Sequence, residues 1–287
     1  VRELAGRGIT LEELLRFYQG LGGLYMPHWD PSRHTTEDVV RCAIIPLSAP
    51  TRSSLATCLM RGVPTLPEMM VTHNWDNLFR DLVAAICADA LDEGEYDSIA
   101  AILQEDPCLV IDWVSSAGKL QRTYWICAFA VNQHSIICGV IPPGRADTVT
   151  GQPHTPCTCG LPKIVNDTEP LWGPGGSTGC EVNKFDDMME LLSASFPGFG
   201  EVVAIDHDMR IFTRAWCIAE MAAAYTMGMP QRLKVCNGEA LDANEQRMRG
   251  LRIEDMEATR AEDKVAILDR IHDKGAFNEA LQRMIFD

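Results

Sequence analysis

The feature that most constrains this chain is an alternation of short apolar runs with amphipathic helical segments across residues 67–238. "EMMVTHNW" is an apolar run that ends in polar residues. "DNLFRDLVAAICADAL" follows it, with Leu78, Phe79, Leu82, Val83 and Ile86 on one helical face. "PCLVIDWV" and "TYWICAFAV" (123–131) read as further strands, the second rich in aromatic and β-branched residues. "KFDDMMELLSASF" (184–196) returns to helical spacing through Phe185, Met188, Met189 and Leu192. A strand "EVVAID", a helix "RAWCIAEMAAAYTM" and a last strand "RLKVC" (232–236) complete the series. Strands separated by helices predict an α/β fold, a parallel sheet with helices on both faces.

The flanks differ. Residues 1–66 read as a helical, loop-rich extension, with "ITLEELLRFYQG" at helical spacing and Thr35 or Thr36 capping a helix that Pro46 ends. Residues 239–287 read as an amphipathic helical tail that docks on the rest. Residues 139–180 form an insertion dense in Pro, Gly and Cys, too long for an ordinary connection. The acidic "DALDEGEYD" (89–97) reads as a solvated linker.

A formal net charge of -15 argues against nucleic acid or an anionic membrane as partner, since both select a basic surface. No run approaches the length of apolar residues that spans a bilayer. Eleven Cys, an odd number and mostly inside apolar segments, point to a reducing compartment, the cytosol. The first residue is Val, which points to a fragment or a processed product.

In open parallel sheets ligands bind beyond the carboxyl ends of the strands. "EVVAID" delivers Asp206 to that edge, followed by His207 and Asp208, which are assigned to the rim of a pocket. In the next helix Trp216 and Glu220 are four apart and so share a face, an aromatic plate beside a carboxylate. Spacing alone favours a packed Trp216 and a solvated Glu220.

"RAWCIAEM" is similar to the W-C-x-x-E segment of Toll/interleukin-1 receptor (TIR) domains, which occur in plant immune receptors and in TIR NAD hydrolases. "MVTHNWDNLFRDLV" resembles the family's first strand and helix, and "YWICAFAVNQHS" its central strand and loop, in the family's order. Two departures stand out: Thr213-Arg214-Ala215 replaces the usual Ser before the Trp, and the central strand ends in Asn132-Gln133-His134. The whole chain also resembles a group of TIR-like proteins of dinoflagellate algae through "VVRCAIIP", "KFDDMM" and "AFNEALQRMIFD".

The resemblance implies a flavodoxin-like sheet of five parallel strands and a role in stress or defence signalling. It implies NAD as substrate, with hydrolysis at the nicotinamide–ribose bond and Glu220 as the catalytic residue. Trp216 would wall the pocket, with His73, Asn74 and Trp75 in the ligand-contacting loop and Asp206 beside them. The alternative it carries is a non-enzymatic module that self-associates through TIR surfaces as a homo-oligomer.

The insertion raises a separate question. Cys138, Cys157, Cys159 and Cys180, with His134 or His154 as a substitute, offer enough ligands for a structural zinc, although C-x-C is tighter than the usual C-x₂₋₄-C spacing. A metal would give shape to a segment that buries little core; free thiols in a mobile loop are the even alternative. "GPGGSTGC" lacks the G-K-[ST] ending of a phosphate loop and reads as flexible. His28, His34 and His272 read as surface or packing residues.

Overall fold

A computed structural model describes residues 1–164, 179–258 and 261–286. Five strands form one sheet: β1 (Ile9–Thr10), β2 (Met69–His73), β3 (Thr123–Ile126), β4 (Gly200–Ala204) and β5 (Gln231–Lys234), in the spatial order β1-β3-β2-β4-β5. β2 through β5 run parallel, while β1 pairs antiparallel with β3, Ile9 opposite Tyr124. The sheet is thus mixed α/β and mostly parallel. Its edge strand comes from the N-terminal segment that reads as helical in sequence.

Every residue of β2 and β4 is buried, the burial expected of central parallel strands covered on both faces. Val71, Ile126 and Val202 face one layer, which contains the Leu11–Gly20 and Phe79–Ala90 helices. On the opposite face Met70 and Trp125 pack with the Phe185–Ser195 helix. Val203 joins them there against the Ala215–Thr226 helix. The chain passes from β2 to β3 on one side and returns to β4 on the other. The direction of winding therefore reverses between β2 and β4, the position where open α/β sheets form a crevice at their carboxyl ends.

Most sequence-read elements stand where periodicity places them, and the departures have local causes. "PCLVIDWV" is a helix, Pro107–Ser116. The Asp106 carboxylate accepts the Cys108 N–H at 3.0 Å and Pro107 takes the first position, where its missing N–H costs nothing. "TYWICAFAV" is a strand only to Ile126, after which Cys127–Ala130 turns helical. Thr35 does cap its helix, in a reciprocal box with Asp38. Pro46 does not end it, because the preceding π-turn, Val40–Ile44, widens the helix where the ring would crowd the carbonyl one turn earlier.

The acidic 89–97 segment is not wholly solvated. Asp89 is fully buried, accepts the Tyr124 hydroxyl at 2.9 Å, and faces Arg122 at 3.3 Å and Arg232 at 3.2 Å. Tyr96 is also buried and donates its hydroxyl to the Ile205 carbonyl at 2.7 Å. Among the described residues no helix is long and apolar enough to cross a membrane.

Candidate functional site

At the carboxyl edge of the sheet, beside the reversal point, lies a cleft of about 260 Å³. It is lined by His73 at the end of β2 and Asn74 and Trp75 after it, by Cys127 after β3, and by Trp216 and Glu220 from the Ala215–Thr226 helix. Five of the six residues singled out in sequence as NAD contacts therefore line one cleft. Asp206 does not. Its two carboxylate oxygens accept the Arg210 and Ile211 N–H groups, both at 2.8 Å, and hold the turn that leads into the helix. His207 and Asp208 stand exposed beside it.

The helix that carries Trp216 and Glu220 is fixed at its start by the end of β2 and by the C-terminal segment. The Ala215 N–H donates to the Glu257 carbonyl at 2.8 Å, and the Cys217 thiol reaches the His73 carbonyl at 3.5 Å. Glu257 and Ala258, from the C-terminal segment, thereby form part of the cleft rim. Described residues of the insertion (139–164) do not line it.

Glu220 is buried, and its Oε2 lies 2.7 Å from the Thr72 hydroxyl. The same hydroxyl lies 2.6 Å from Oε1 of Glu201, a fully buried carboxyl on β4. Gln231 on β5 donates its amide N–H to the other Glu201 oxygen at 2.7 Å. Burial raises Glu220 to about 8, with the neighbouring Glu201 adding to the effect, and burial raises Glu201 to about 7. Nearby His73 is driven down to about 4 by burial, so its ring is neutral near pH 7. Its Nδ1–H donates to the Val71 carbonyl at 3.2 Å, leaving Nε2 toward the Cys127 thiol.

A second site forms where the insertion meets the core. One nitrogen of His134 and the sulfurs of Cys138, Cys157 and Cys159 all lie within 4.8 Å of one another. The Cys138 and Cys159 sulfurs are 3.6 Å apart, and Cys157 Sγ is 3.6 Å from His134 Nδ1. A tetrahedral zinc with its usual bond lengths separates its ligands by about 3.8 Å for two sulfurs and about 3.5 Å for sulfur and nitrogen. Lys163 Nζ donates to Cys138 Sγ at 3.1 Å and would offset the excess negative charge of three thiolates. Burial raises Cys138 to about 11. At Cys159 burial also opposes the thiolate, but the Leu161 N–H and the adjacent thiols outweigh it and lower this group. Of the four cysteines weighed in sequence, three converge; Cys180 lies outside the group and His134, the substitute, completes it.

His28, His34 and Asp147 make a further cluster, which no sequence spacing foreshadows because its members meet only through tertiary contact. His34 Nδ1 accepts the Asp30 N–H at 2.8 Å, so the ring proton sits on Nε2. That nitrogen stands 3.4 Å from Asp147 Oδ2 without a hydrogen bond to it and, because it carries the ring proton, has no lone pair for a metal. His154 belongs to this neighbourhood: its Nδ1 is 3.6 Å from Cys42 Sγ and its Nε2 is 3.4 Å from Asp38. The 173–178 part of "GPGGSTGC" lies outside the described residues, as do Thr259 and Arg260.

Sequence reasoning passed over Thr72 and Glu201. A signal existed for the second, since Glu201 is an ionisable residue opening an otherwise apolar strand. Comparison with protein-family models, with characterised proteins and with solved structures finds no match.

Proposed function

We propose that this chain is a TIR-like, flavodoxin-like signalling protein that hydrolyses NAD at the nicotinamide–ribose bond, with Glu220 as its catalytic residue. The observation that carries this reading is the placement of Glu220 and Trp216 together in the cleft at the β2–β4 reversal, facing His73, Asn74 and Trp75. Further support comes from the order β3-β2-β4-β5, which a flavodoxin-like sheet shares in its first four strands. The W-C-x-x-E segment begins the helix that follows β4, where the resemblance requires it.

The chemistry follows from the residues. The cleft is somewhat smaller than the roughly 300–1,000 Å³ of sites that enclose whole small ligands, so it suits one end of a dinucleotide. Trp216 offers a face on which the cationic pyridinium stacks. A pyridinium in the cleft favours the ionised form of Glu220. The Glu220 carboxylate accepts ribose hydroxyls and stabilises the positive charge that develops on the ribose as neutral nicotinamide leaves. Water then takes the anomeric carbon, giving ADP-ribose and a proton.

The test is nicotinamide release from NAD by the purified chain at high concentration, where self-association through TIR surfaces is favoured. Release by the parent and none by Glu220→Ala is the expected result. No release by a folded parent overturns the enzymatic reading and favours the self-association module.

For the second site we propose a structural zinc held by His134, Cys138, Cys157 and Cys159. The sulfur and nitrogen spacings carry this reading. The ion would fix the insertion to the core beside the Gln133–Ile136 helix. Elemental analysis should find one zinc per chain, lost in Cys157→Ser and kept in Cys180→Ser. A zinc-free parent expressed with ample metal would end the idea.

A further inference from the structure

The Thr72 hydroxyl lies 2.6 Å from a Glu201 oxygen and 2.7 Å from a Glu220 oxygen. A hydroxyl carries one proton and can donate to only one of them. The other contact is a hydrogen bond only if that carboxyl is itself protonated and donates to the Thr72 oxygen. Were both ionised, two buried anions would face each other across one oxygen. Among the described residues no Lys or Arg forms an ion pair with either, and Glu201 has only the neutral Gln231 amide on its far side. Burying a charge in that state is costly, and a retained proton removes the cost.

We infer that Glu201 and Glu220 share a single proton through Thr72, so that Glu201 acts as a positioning residue that sets the charge of the carboxyl lining the cleft. The inference deepens the proposed NAD site and rests on that reading for its functional meaning only. When the proton lies on Glu220, that carboxyl donates to Thr72 Oγ1 and the Thr72 hydroxyl donates to Glu201. When a cation enters the cleft, the Glu220 proton passes to Thr72 Oγ1 as the Thr72 proton passes to Glu201 Oε1. Both hydrogen bonds persist with reversed direction. Glu220 becomes the anion, Glu201 becomes the neutral acid, and no proton crosses to solvent.

Three positions in the fold make this arrangement. Thr72 on β2 and Glu201 on β4 project from adjacent parallel strands toward the same layer, with Met70 opposite Glu201 in register. Glu220 descends onto them from the Ala215–Thr226 helix. The other ionisable groups near the pair do not compete for the proton near pH 7. Burial raises the Cys127 thiol to about 12 and raises Cys217 well above its ordinary value. His73 is neutral, held down to about 4 by burial. Asp186, on the Phe185–Ser195 helix, is paired with Arg270 at 3.1 Å, and Arg214 faces Asp76 at 3.7 Å. Glu257 stands exposed at the outer rim.

Infrared titration with isotope-labelled glutamate reads the pair directly and uses no substrate. In the parent, a protonated-carboxyl band should persist at pH 7 and vanish above about pH 8. Glu201→Gln removes the neighbouring charge, and the midpoint of the remaining Glu220 band should fall by about one pH unit or more. Thr72→Val keeps the shape and removes the hydroxyl, and the band should move to the higher frequency of a carboxyl without that partner. A parent with no acid band at pH 7, or a Glu201→Gln midpoint equal to the parent's, overturns the inference. The outcome is separate from the NAD assay: a shared proton without nicotinamide release keeps this inference and loses the enzymatic one, and NAD cleavage with both carboxyls ionised does the reverse.

Discussion

The Ser48 hydroxyl stands 3.0 Å from Nε2 of His134, and this contact decides which ring nitrogen is free. Ser48 donates its own proton to the Ile44 carbonyl at 2.7 Å, so it can only accept from the ring. The ring hydrogen is therefore on Nε2, and Nδ1 presents its lone pair to the Cys157 sulfur. His34 shows the opposite arrangement, with Nδ1 occupied by the Asp30 N–H. Two histidine-containing clusters of similar size are thus separated by one hydrogen bond each, and only the first suits a metal.

From this relationship, Ser48→Ala should leave all four ligands of the zinc site in place yet weaken zinc binding about 10–100-fold, the usual effect of losing an outer partner of a ligating His. Competition against a chromophoric chelator measures it. His34→Gln should leave the same affinity unchanged.

Stability should depend on pH in two windows. Glu201 and Glu220 are raised by burial to about 7 and about 8, above their unfolded values, so the native state holds protons that the unfolded chain has released. Their contribution is fully present below about pH 4.5 and is lost as pH rises through the folded values. His73 is lowered to about 4 by burial, so the unfolded chain binds its proton first. That contribution is present above about pH 6.5 and is lost as pH falls toward 4. Denaturant unfolding at a series of pH values should show decline on both sides. Glu220→Gln should flatten the alkaline decline and leave the acid one.

The three-layer arrangement was legible because β2 and β4 are mostly apolar and the helices between strands keep one apolar face. The errors fall where a local signal competes with composition. "PCLVIDWV" is as apolar as a strand, yet the Asp-Pro start directs it into a helix whose Val110 and Val114, four apart, are its buried residues. β1 is two residues long and exists because Ile9 and Thr10 meet β3, which no local pattern encodes. In the cleft, Trp216 and Glu220 were visible from i,i+4 spacing. Thr72 was not, because its importance comes from two carboxyls brought to it by β4 and by a helix more than a hundred residues away. The members of the His134–Cys138–Cys157–Cys159 cluster were readable as residue types, and the packing around Ser48 and Lys163 brings His134, not Cys180, to it.

Trp216 tests the binding half of the proposed function. It is only half-buried and lines the cleft beside Glu220. A stacked cation on a Trp face contributes about 0.5–2 kcal/mol, so Trp216→Ala should weaken binding of nicotinamide riboside roughly 2–30-fold. Trp216→Phe should recover part of the loss. Calorimetric titration reads both; equal affinity in parent and Ala variant would place the pyridinium elsewhere.

Asp89 offers a test of stability independent of either site. Its fully buried carboxylate faces Arg122 and Arg232 at 3.3 and 3.2 Å, with Lys234 at 4.0 Å, and it accepts the Tyr124 hydroxyl at 2.9 Å. Removing the carboxylate leaves a buried phenol without its acceptor and crowds three cations with no anion between them. Lys234 is already lowered by burial, so part of the response is loss of its proton to solvent. Breaking a buried charge cluster from one side costs about 3–5 kcal/mol, and the partial exposure of Arg232 places Asp89→Ala toward the lower end of that range. Asp89→Asn keeps an acceptor for Tyr124 and should lose less. Asp89 sits at the end of the Phe79–Ala90 helix and its partners lie on β5, on β3 and immediately before β3, so the loss should appear in global unfolding. A change confined to local hydrogen exchange of the 89–97 segment would return that segment to the status of a solvated linker.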